Sequence, residues 1–320
     1  MSRNNIVLSI FEEDITFDLP PGWKHIPVRG DKALQLLRAS QALQASLDGV
    51  RKISPEHADF SALSKSVVPH SIIGHRIVVV TPALVPLDIV QQDNDTYWGD
   101  HTIFSHVLTE PPVDTNLLHR CTVVPEARPL QTYLLACPME IDRPIPRHLQ
   151  DIVMTALRYE IDMPVELWLQ PSLERIYDAF TRTDVSWLHI DTHGDNLGLH
   201  IMLGPTRELR DMVAAGDLPK TIHPPLIMPV GCALTRRSDG IGMTLLHNGA
   251  QSVMGPSIVF ESLSMSNSDD SEMLWYQTFF DALLGQHDVG ESLLIARQKT
   301  GESILKYMWV ILGSSFTRFS

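Results

Sequence analysis

The sequence predicts an α/β fold, a three-layer sandwich in which helices flank a mainly parallel central sheet on both faces. Three observations lead to this prediction. From residue 132 onward, short apolar runs alternate with helical patterns, which is typical of βαβ units. A chain of 320 residues is long enough to bury one large core or two modest ones. Its 44% hydrophobic and 20% charged residues are the composition of an ordinary globular protein.

The N-terminal region, residues 1–69, is predicted to be a separate segment of short strands plus one helix. Apolar residues favour two hairpin strands at 6–11 and 15–19. Residues 31–49 are predicted to be helical, because leucines and alanines form one apolar stripe between an aspartate and a closing glycine. The main domain is predicted to cover residues 70–320.

The main domain shows a regular order of elements. Strands are predicted at 76–82, 132–138, 164–170, 186–192, 197–203, 224–230, 251–260 and 307–313. Helices are predicted at 145–160, 171–182, 206–216, 242–250, 269–284 and 289–304. Because parallel strands need crossover connections, this order predicts a mainly parallel sheet.

Charge and hydropathy narrow the range of partners. The formal net charge of −13 argues against nucleic acid, because the chain has no basic stripe with which to replace phosphate counterions. The same charge favours a basic peptide. The longest apolar run, at 77–90, is interrupted by Pro82 and Pro86 and is shorter than the roughly 18 residues that span a bilayer. We therefore expect neither nucleic acid nor a membrane as a partner.

The cysteine pattern predicts a reducing compartment. The three cysteines, Cys121, Cys137 and Cys232, lack zinc-ligand spacing, and an odd number does not form a closed set of disulfides. The first apolar run of the chain is too short for a signal peptide and is followed at once by acidic residues. The sequence therefore predicts a cytoplasmic protein.

His193 and Cys232 each follow an apolar strand-like run, 39 residues apart. In an open α/β sheet, functional groups collect at the carboxyl ends of the strands. A histidine and a cysteine at neighbouring strand ends have the arrangement that a thiolate–imidazole dyad requires. Taken singly, each residue also fits a structural role, as a buried thiol or as a histidine in a turn beside Gly194. Together they predict a cysteine hydrolase, and among these a protease.

The same strand offers a metal site as an alternative. His189, Asp191 and His193 alternate, so their side chains are expected on one face of the strand, where they could bind a metal. A hydrolytic zinc site needs further ligands, and the other histidines in this region have no ligand spacing: His200, His223 and His247. The other interpretation of His189 is a packed residue of the strand.

These residues carry a family resemblance. His189-Ile-Asp-Thr-His193-Gly194 resembles the H-x-x-x-H-G motif of the CHAT family of caspase-like cysteine peptidases, related to separases, gingipains and caspases. Val230-Gly231-Cys232-Ala233 resembles the family's strand ending in a small residue and cysteine, and residues 245–260 and 279–298 resemble its later strand and paired helices. The resemblance covers about residues 70–320, is strongest from 185 to 300, and implies a catalytic core at about 130–320.

The resemblance implies a caspase-like fold in which Cys232 is the nucleophile and His193 the general base and acid. The backbone N–H groups of Gly194 and Cys232 would form the oxyanion hole, and such donors are each worth about 3 kcal/mol in the transition state. No cofactor and no metal are implied. Charged residues near the presumed site are candidates for the substrate pocket: Asp195, Asp239 and Glu261. Ala233-Leu234-Thr235 departs from the family's pattern, so no specificity for aspartate is implied.

Three functions are compatible with the sequence. The first is a cysteine endopeptidase that cleaves a protein or peptide. Because the sensor repeats of many relatives are absent, this function includes activation by a partner protein or a signal, as in bacterial defence or stress systems. The second is a catalytically silent caspase-like interaction module. The third is a metallohydrolase that uses His189, Asp191 and His193.

Overall fold

A computed structural model describes residues 3–47, 55–93, 96–137, 154–155, 157–194, 198–202, 209–230, 235–257, 270–300, 304–307 and 309–320. The strands are β1 (Asn5–Phe11), β2 (Trp23–Arg29), β3 (Arg76–Thr81), β4 (Gln91–Asp93), β5 (Thr96–Tyr97), β6 (Ile103–Leu108), β7 (Thr132–Cys137), β8 (Val165–Leu169), β9 (Val185–Asp191), β10 (His193–Gly194), β11 (Gly198–Met202), β12 (Leu209–Ala214), β13 (Leu226–Val230), β14 (Ser252–Pro256) and β15 (Trp309–Gly313). The α-helices are α1 (Gly30–Leu47), α2 (Pro55–Val67), α3 (Thr115–Thr122), α4 (Leu173–Thr181), α5 (Ile241–His247), α6 (Asp270–Leu284) and α7 (Val289–Lys299).

A ten-stranded sheet forms the centre of the fold, in the order β2-β1-β3-β6-β15-β14-β13-β9-β7-β8. From β2 to β6, and again from β14 to β8, neighbouring strands are parallel. Strand β15 is antiparallel to β14. The prediction of a mainly parallel central sheet is therefore confirmed.

The two halves of the sheet repeat one strand order. In β2-β1-β3-β6, the first strand in sequence lies between the second and the third, and the fourth follows. The series β8-β7-β9-β13 has the same order. Strand β14 extends the second series beyond β13, and β15 lies between the two halves, next to β6 and β14. The chain thus contains two similar units of parallel strands within one continuous sheet.

Helices pack on both faces of the sheet, which completes the predicted three layers. One core contains side chains of α1, α2, α6 and α7 together with one set of alternating strand residues, among them Trp187 and Met228. The other contains side chains of α3, α4 and α5 with the opposite set, among them Leu188 and Ile227. The alternation follows from the strand geometry, since successive side chains point to opposite faces.

Side-chain caps fix where several helices begin. Asp114 accepts hydrogen bonds from the first backbone N–H groups of α3, Ser172 from α4, and Asp288 from α7. These caps satisfy N–H donors that have no partner within the helix. They fix the residue at which each of these helices begins.

Two local predictions are wrong. The region predicted as a helix at 206–216 contains strand β12, which pairs antiparallel with β11, so that Leu199 and Val213 lie opposite each other and are both buried. The predicted hairpin at 6–11 and 15–19 is absent, because β1 pairs in parallel with both β2 and β3. Ile15, Phe17 and Leu19 instead pack against the core that contains side chains of α3, α4 and α5.

Two other predictions have a different outcome. Of the helix predicted at 145–160, residues 145–153 and 156 lie outside the described part of the chain. The domain boundary between residues 69 and 70 stays a prediction. Strands β1 and β2, from the N-terminal segment, belong to the same sheet as the strands of the main domain.

Candidate active site

The candidate site lies where β9 and β13 end. These parallel strands are neighbours, and their register pairs Trp187 with Leu226 and Asp191 with Val230. Beyond this last pair, the N–H of Thr192 donates to the carbonyl oxygen of Val230 at 3.2 Å. The two strands therefore end side by side at one edge of the sheet.

His193 begins β10, immediately beyond that edge. Only the backbone of His193 is described, and it pairs with His200, while Gly194 pairs with Leu199. Strands β10, β11 and β12 form a small antiparallel sheet, which Leu199 and Val213 anchor in the core. The backbone of Gly194, whose N–H is the predicted oxyanion donor, is thus part of the strand pair of β10 and β11. The role of that N–H in an oxyanion hole stays a prediction.

Cys232 lies outside the described residues, as do Asp195 and Glu261, which were predicted for the substrate pocket. The remaining predicted pocket residue, Asp239, is exposed and accepts two hydrogen bonds from the Arg237 guanidinium at 2.6 and 2.7 Å. The hydrogen bonds with Arg237 lower the pKa of the Asp239 carboxyl. Asp239 is therefore an ionised surface group of the loop that follows Cys232.

His189 is a fully buried residue of the core. Its Nδ1 is 2.9 Å from Oη of Tyr133 on the neighbouring strand β7. Burial, followed by the nearby Cys137 and Asp191, raises the pKa of Tyr133 well above its usual value, so the phenol stays protonated. Among the side chains that the structure describes, no three of histidine, cysteine, aspartate or glutamate are grouped as metal ligands.

The chain after Cys232 is packed tightly against the end of β14. Thr235 is fully buried, and its Oγ1 donates to the carbonyl oxygen of Pro256 at 3.0 Å. A Cβ on Gly255 would lie 2.9 Å from the carbonyl oxygen of Pro229 and 3.3 Å from Thr235 Cγ2. Glycine at position 255 therefore lets β13, β14 and Thr235 approach one another closely.

Sequence reasoning missed Thr235 and its neighbour Arg236 as residues that fix the backbone here. Arg236 Nε donates to the carbonyl oxygen of Ser257, just beyond β14. Two arginines in a polar loop are typical of a solvated surface, so the sequence carries little signal for this contact. The one available signal is the pair Thr235-Arg236, a small polar residue and an arginine that follow an apolar strand.

Comparison with known proteins gives a likeness in structure. No protein-family model matches the chain, and no curated sequence matches it. The structure of the Arg-specific cysteine proteinase gingipain R (RgpB) matches with a TM-score of 0.56 and 11% identity, over 99% of this chain and 78% of that one. A complex of the pro- and mature domains of Porphyromonas gingivalis RgpB matches with a TM-score of 0.55 and 12% identity, over 98% and 79%.

The chain has a caspase-like fold. A complex of Saccharomyces cerevisiae separase with securin also matches, with a TM-score of 0.45 and 14% identity, over 76% of this chain and 15% of that one. In the described part of this caspase-like chain, no helix is both long enough and apolar enough to cross a membrane.

Proposed function

We propose that the chain is a cysteine endopeptidase that cleaves a protein or peptide with a dyad of Cys232 and His193. One observation carries this proposal: the register of β9 and β13 in a fold that the chain shares with cysteine peptidases. Asp191 and Val230 form the last residue pair, and each dyad residue follows its member of that pair by two positions in the sequence. Neighbouring strands are about 4.8 Å apart, so this equal offset favours a short separation between the two residues.

In the proposed reaction, the imidazole of His193 accepts the thiol proton of Cys232. The thiolate attacks the carbonyl carbon of the substrate, and the N–H groups of Gly194 and Cys232 donate to the developing oxyanion. The imidazolium then gives its proton to the leaving amine, which departs as the C–N bond breaks. Water hydrolyses the resulting thioester, with His193 as the base, and regenerates the thiol.

The substrate pocket is proposed to include Asp195, Asp239 and Glu261. Carboxylates in such a pocket would favour basic peptide side chains, in keeping with the net charge of −13. Activation by a partner protein or a signal, membership of the CHAT family and a role in bacterial defence belong to the same proposal. The solved gingipain R complex contains its pro-domain, and the solved separase complex contains securin, so both neighbours have been captured with a protein partner.

The test is digestion of a peptide library, with cleaved bonds read by mass spectrometry. We expect cleavage by the wild type and loss of at least about 10³-fold in Cys232→Ala and in His193→Ala. Two matched variants serve as controls, Cys121→Ala at a buried thiol and His223→Ala at an exposed histidine. They are expected to keep cleaving.

Three results would contradict the proposal. Cleavage at the wild-type rate in both dyad variants would exclude the dyad. A wild type that cleaves nothing, and whose Cys232 reacts with thiol probes like a free cysteine, would favour the silent interaction module instead. Cleavage that is lost on chelation and restored by zinc would favour the metallohydrolase.

A further inference from the structure

The loop that follows β13 is bonded to a loop in the other half of the fold. The carbonyl oxygen of Arg236 accepts the N–H of Leu84 at 3.3 Å, and an isolated bridge joins Ala83 to Arg237. Ala83 and Leu84 belong to the loop after β3, in the N-terminal unit of parallel strands. The loop near the candidate site is therefore bound to a part of the chain about 150 residues earlier in the sequence.

Leu84 is in turn bound to α1. Its carbonyl oxygen accepts hydrogen bonds from Ser40 Oγ at 2.8 Å and from Gln44 Nε2 at 2.7 Å. Leu84 and both donors are buried. Such bonds are well shielded from water, so they hold the peptide unit between Leu84 and Val85 in one orientation. The N–H of Leu84, in the adjoining peptide unit, donates to the carbonyl oxygen of Arg236.

The side chain of Arg236 adds two further interactions to this contact. Its Nε donates to the carbonyl oxygen of Ser257, beyond β14, and its Nη2 is 3.5 Å from the carbonyl oxygen of Gln44, in the last turn of α1. A guanidinium has several N–H donors in a fixed planar arrangement, so it can bond to two carbonyl groups at once. Ser40, Gln44, Leu84, Arg236 and Ser257 are called the Arg236 junction below.

We propose that Arg236 is a positioning residue, which fixes the backbone after Cys232 by binding it to α1 and to the end of β14 through the Arg236 junction. This inference rests on the proposed function. Arg236 follows the proposed nucleophile by four residues, and Thr235, the residue between them nearest to Arg236, is itself bonded to Pro256. The N-terminal unit thereby supplies part of the rigidity that the dyad needs, although it contains neither dyad residue.

The expected effect is on the chemical step. Displacing a reacting group by about 1 Å can cost about 100-fold in rate, even when the substituted residue does not touch the substrate. Arg236→Gln is expected to lower kcat by about 10- to 100-fold with a small change in KM. Arg236→Lys keeps the charge but lacks the planar set of donors, so it is expected to restore only part of the loss.

A second variant tests the junction from the other side. Gln44→Ala removes one donor to the Leu84 carbonyl and leaves Arg236 in place. It is expected to lower kcat by several-fold, and the double variant with Arg236→Gln is expected to lose less than the product of the two single losses. The matched control is Arg158→Gln, which removes an arginine with a 63% exposed side chain from its ion pair with Asp281.

The experiment measures kcat and KM on a cleaved peptide, together with the pH dependence of Cys232 alkylation by iodoacetamide. Positioning predicts that Arg236→Gln raises the apparent pKa of that alkylation, whereas Arg158→Gln leaves it and kcat unchanged. An Arg236→Gln protein with wild-type kcat and alkylation profile, after correction for the folded fraction, would overturn the inference alone. A wild type whose Cys232 alkylates with an ordinary thiol pKa would overturn the proposed function with it.

Discussion

Tyr133 Oη and His189 Nδ1 lie 2.9 Å apart inside the core, and they join strands β7 and β9 by a side-chain hydrogen bond. This contact gives His189 a structural role in the core. His193, four positions later in the same motif, is the candidate catalytic residue. A histidine held in this way stabilises the sheet on which the candidate site is built.

Removing the Tyr133 hydroxyl tests this structural role. Tyr133→Phe leaves a buried histidine nitrogen without its phenol partner, which is expected to lower the free energy of unfolding by about 1–3 kcal/mol. The rate of cleavage per folded molecule should stay within about two-fold of the wild type. Urea denaturation and peptide kinetics measure the two effects. Tyr159→Phe, at a tyrosine 44% exposed, is the control. A large fall in kcat with unchanged stability would contradict the structural assignment.

The buried ion pair of Asp88 and Arg297 gives a second prediction. Both side chains are 1% exposed, and Arg297 also donates to the carbonyl oxygen of Trp309 in β15 at 2.7 Å. Arg297→Met leaves the Asp88 carboxylate buried without its guanidinium, so we expect a loss of about 3–5 kcal/mol. The double variant Asp88→Leu/Arg297→Met should recover most of that loss in urea denaturation. A double variant as unstable as the single one would show that the charge of Asp88 is not the cause.

The same aspartate predicts a loss of stability in acid. Burial alone raises the pKa of Asp88, but the attraction of Arg297 and His106 outweighs it, and the net pKa is below the ordinary value. A lowered folded pKa means that stability from this group is complete above the unfolded pKa, about 3.9, and is lost as the pH falls through the folded value. The free energy of unfolding of Asp88→Asn should therefore fall less steeply than that of the wild type below about pH 4. Equal slopes in the two proteins would contradict this.

Thiol reactivity provides a fourth prediction. Burial raises the pKa of the Cys121 thiol to about 12, and Cys137 is buried as well. At pH 8 only about 10⁻⁴ of Cys121 is thiolate, so iodoacetamide should leave it unmodified in the folded protein. We expect Cys232 to be the thiol that reacts first, and all three to react after denaturation. Peptide mapping gives the order, and modification of Cys121 at the rate of Cys232 would contradict it.

Gly255 gives a fifth prediction, at the contact between β13 and β14. Gly255→Ala would place a Cβ 2.9 Å from the Pro229 carbonyl oxygen, so the strands must separate. We expect a loss of about 1–3 kcal/mol in the free energy of unfolding, together with slower cleavage. Gly216→Ala, where a Cβ has open space, is the matched control and should change neither quantity. If both variants have the same stability, the close approach at Gly255 does not limit the packing.

The parts of the fold that depend on local pattern could be predicted from the sequence. Strands β9 and β13 are short apolar runs, because a parallel strand is buried on both faces. Strand β6 lacks this signal, since it carries Ser105 and His106 in the core. Strand β12 contains Arg210 and Asp211, which suit a helix equally well, and its pairing with β11 decides its structure.

The site was predictable to a different degree. Two strand ends with a histidine and a cysteine are visible in the sequence, because the reacting groups have distinctive chemistry. The support around them is not. Arg236 has the appearance of a surface charge, and its partners lie 192 residues away at Gln44 and 21 residues away at Ser257. Contacts of this kind become apparent only when the sheet brings those parts together.

The central place of β15 has a consequence for how the chain folds. This strand follows the other strands of the sheet in sequence, yet it lies between β6 and β14. A ribosome therefore releases both parallel units before it releases the strand that joins them. Until then, β6 and β14 present open hydrogen-bonding edges, which invite pairing with other chains. Folding should therefore be slow, and it should finish only after β15 has left the ribosome. A nascent chain whose β15 has not yet emerged is the form most in need of a chaperone.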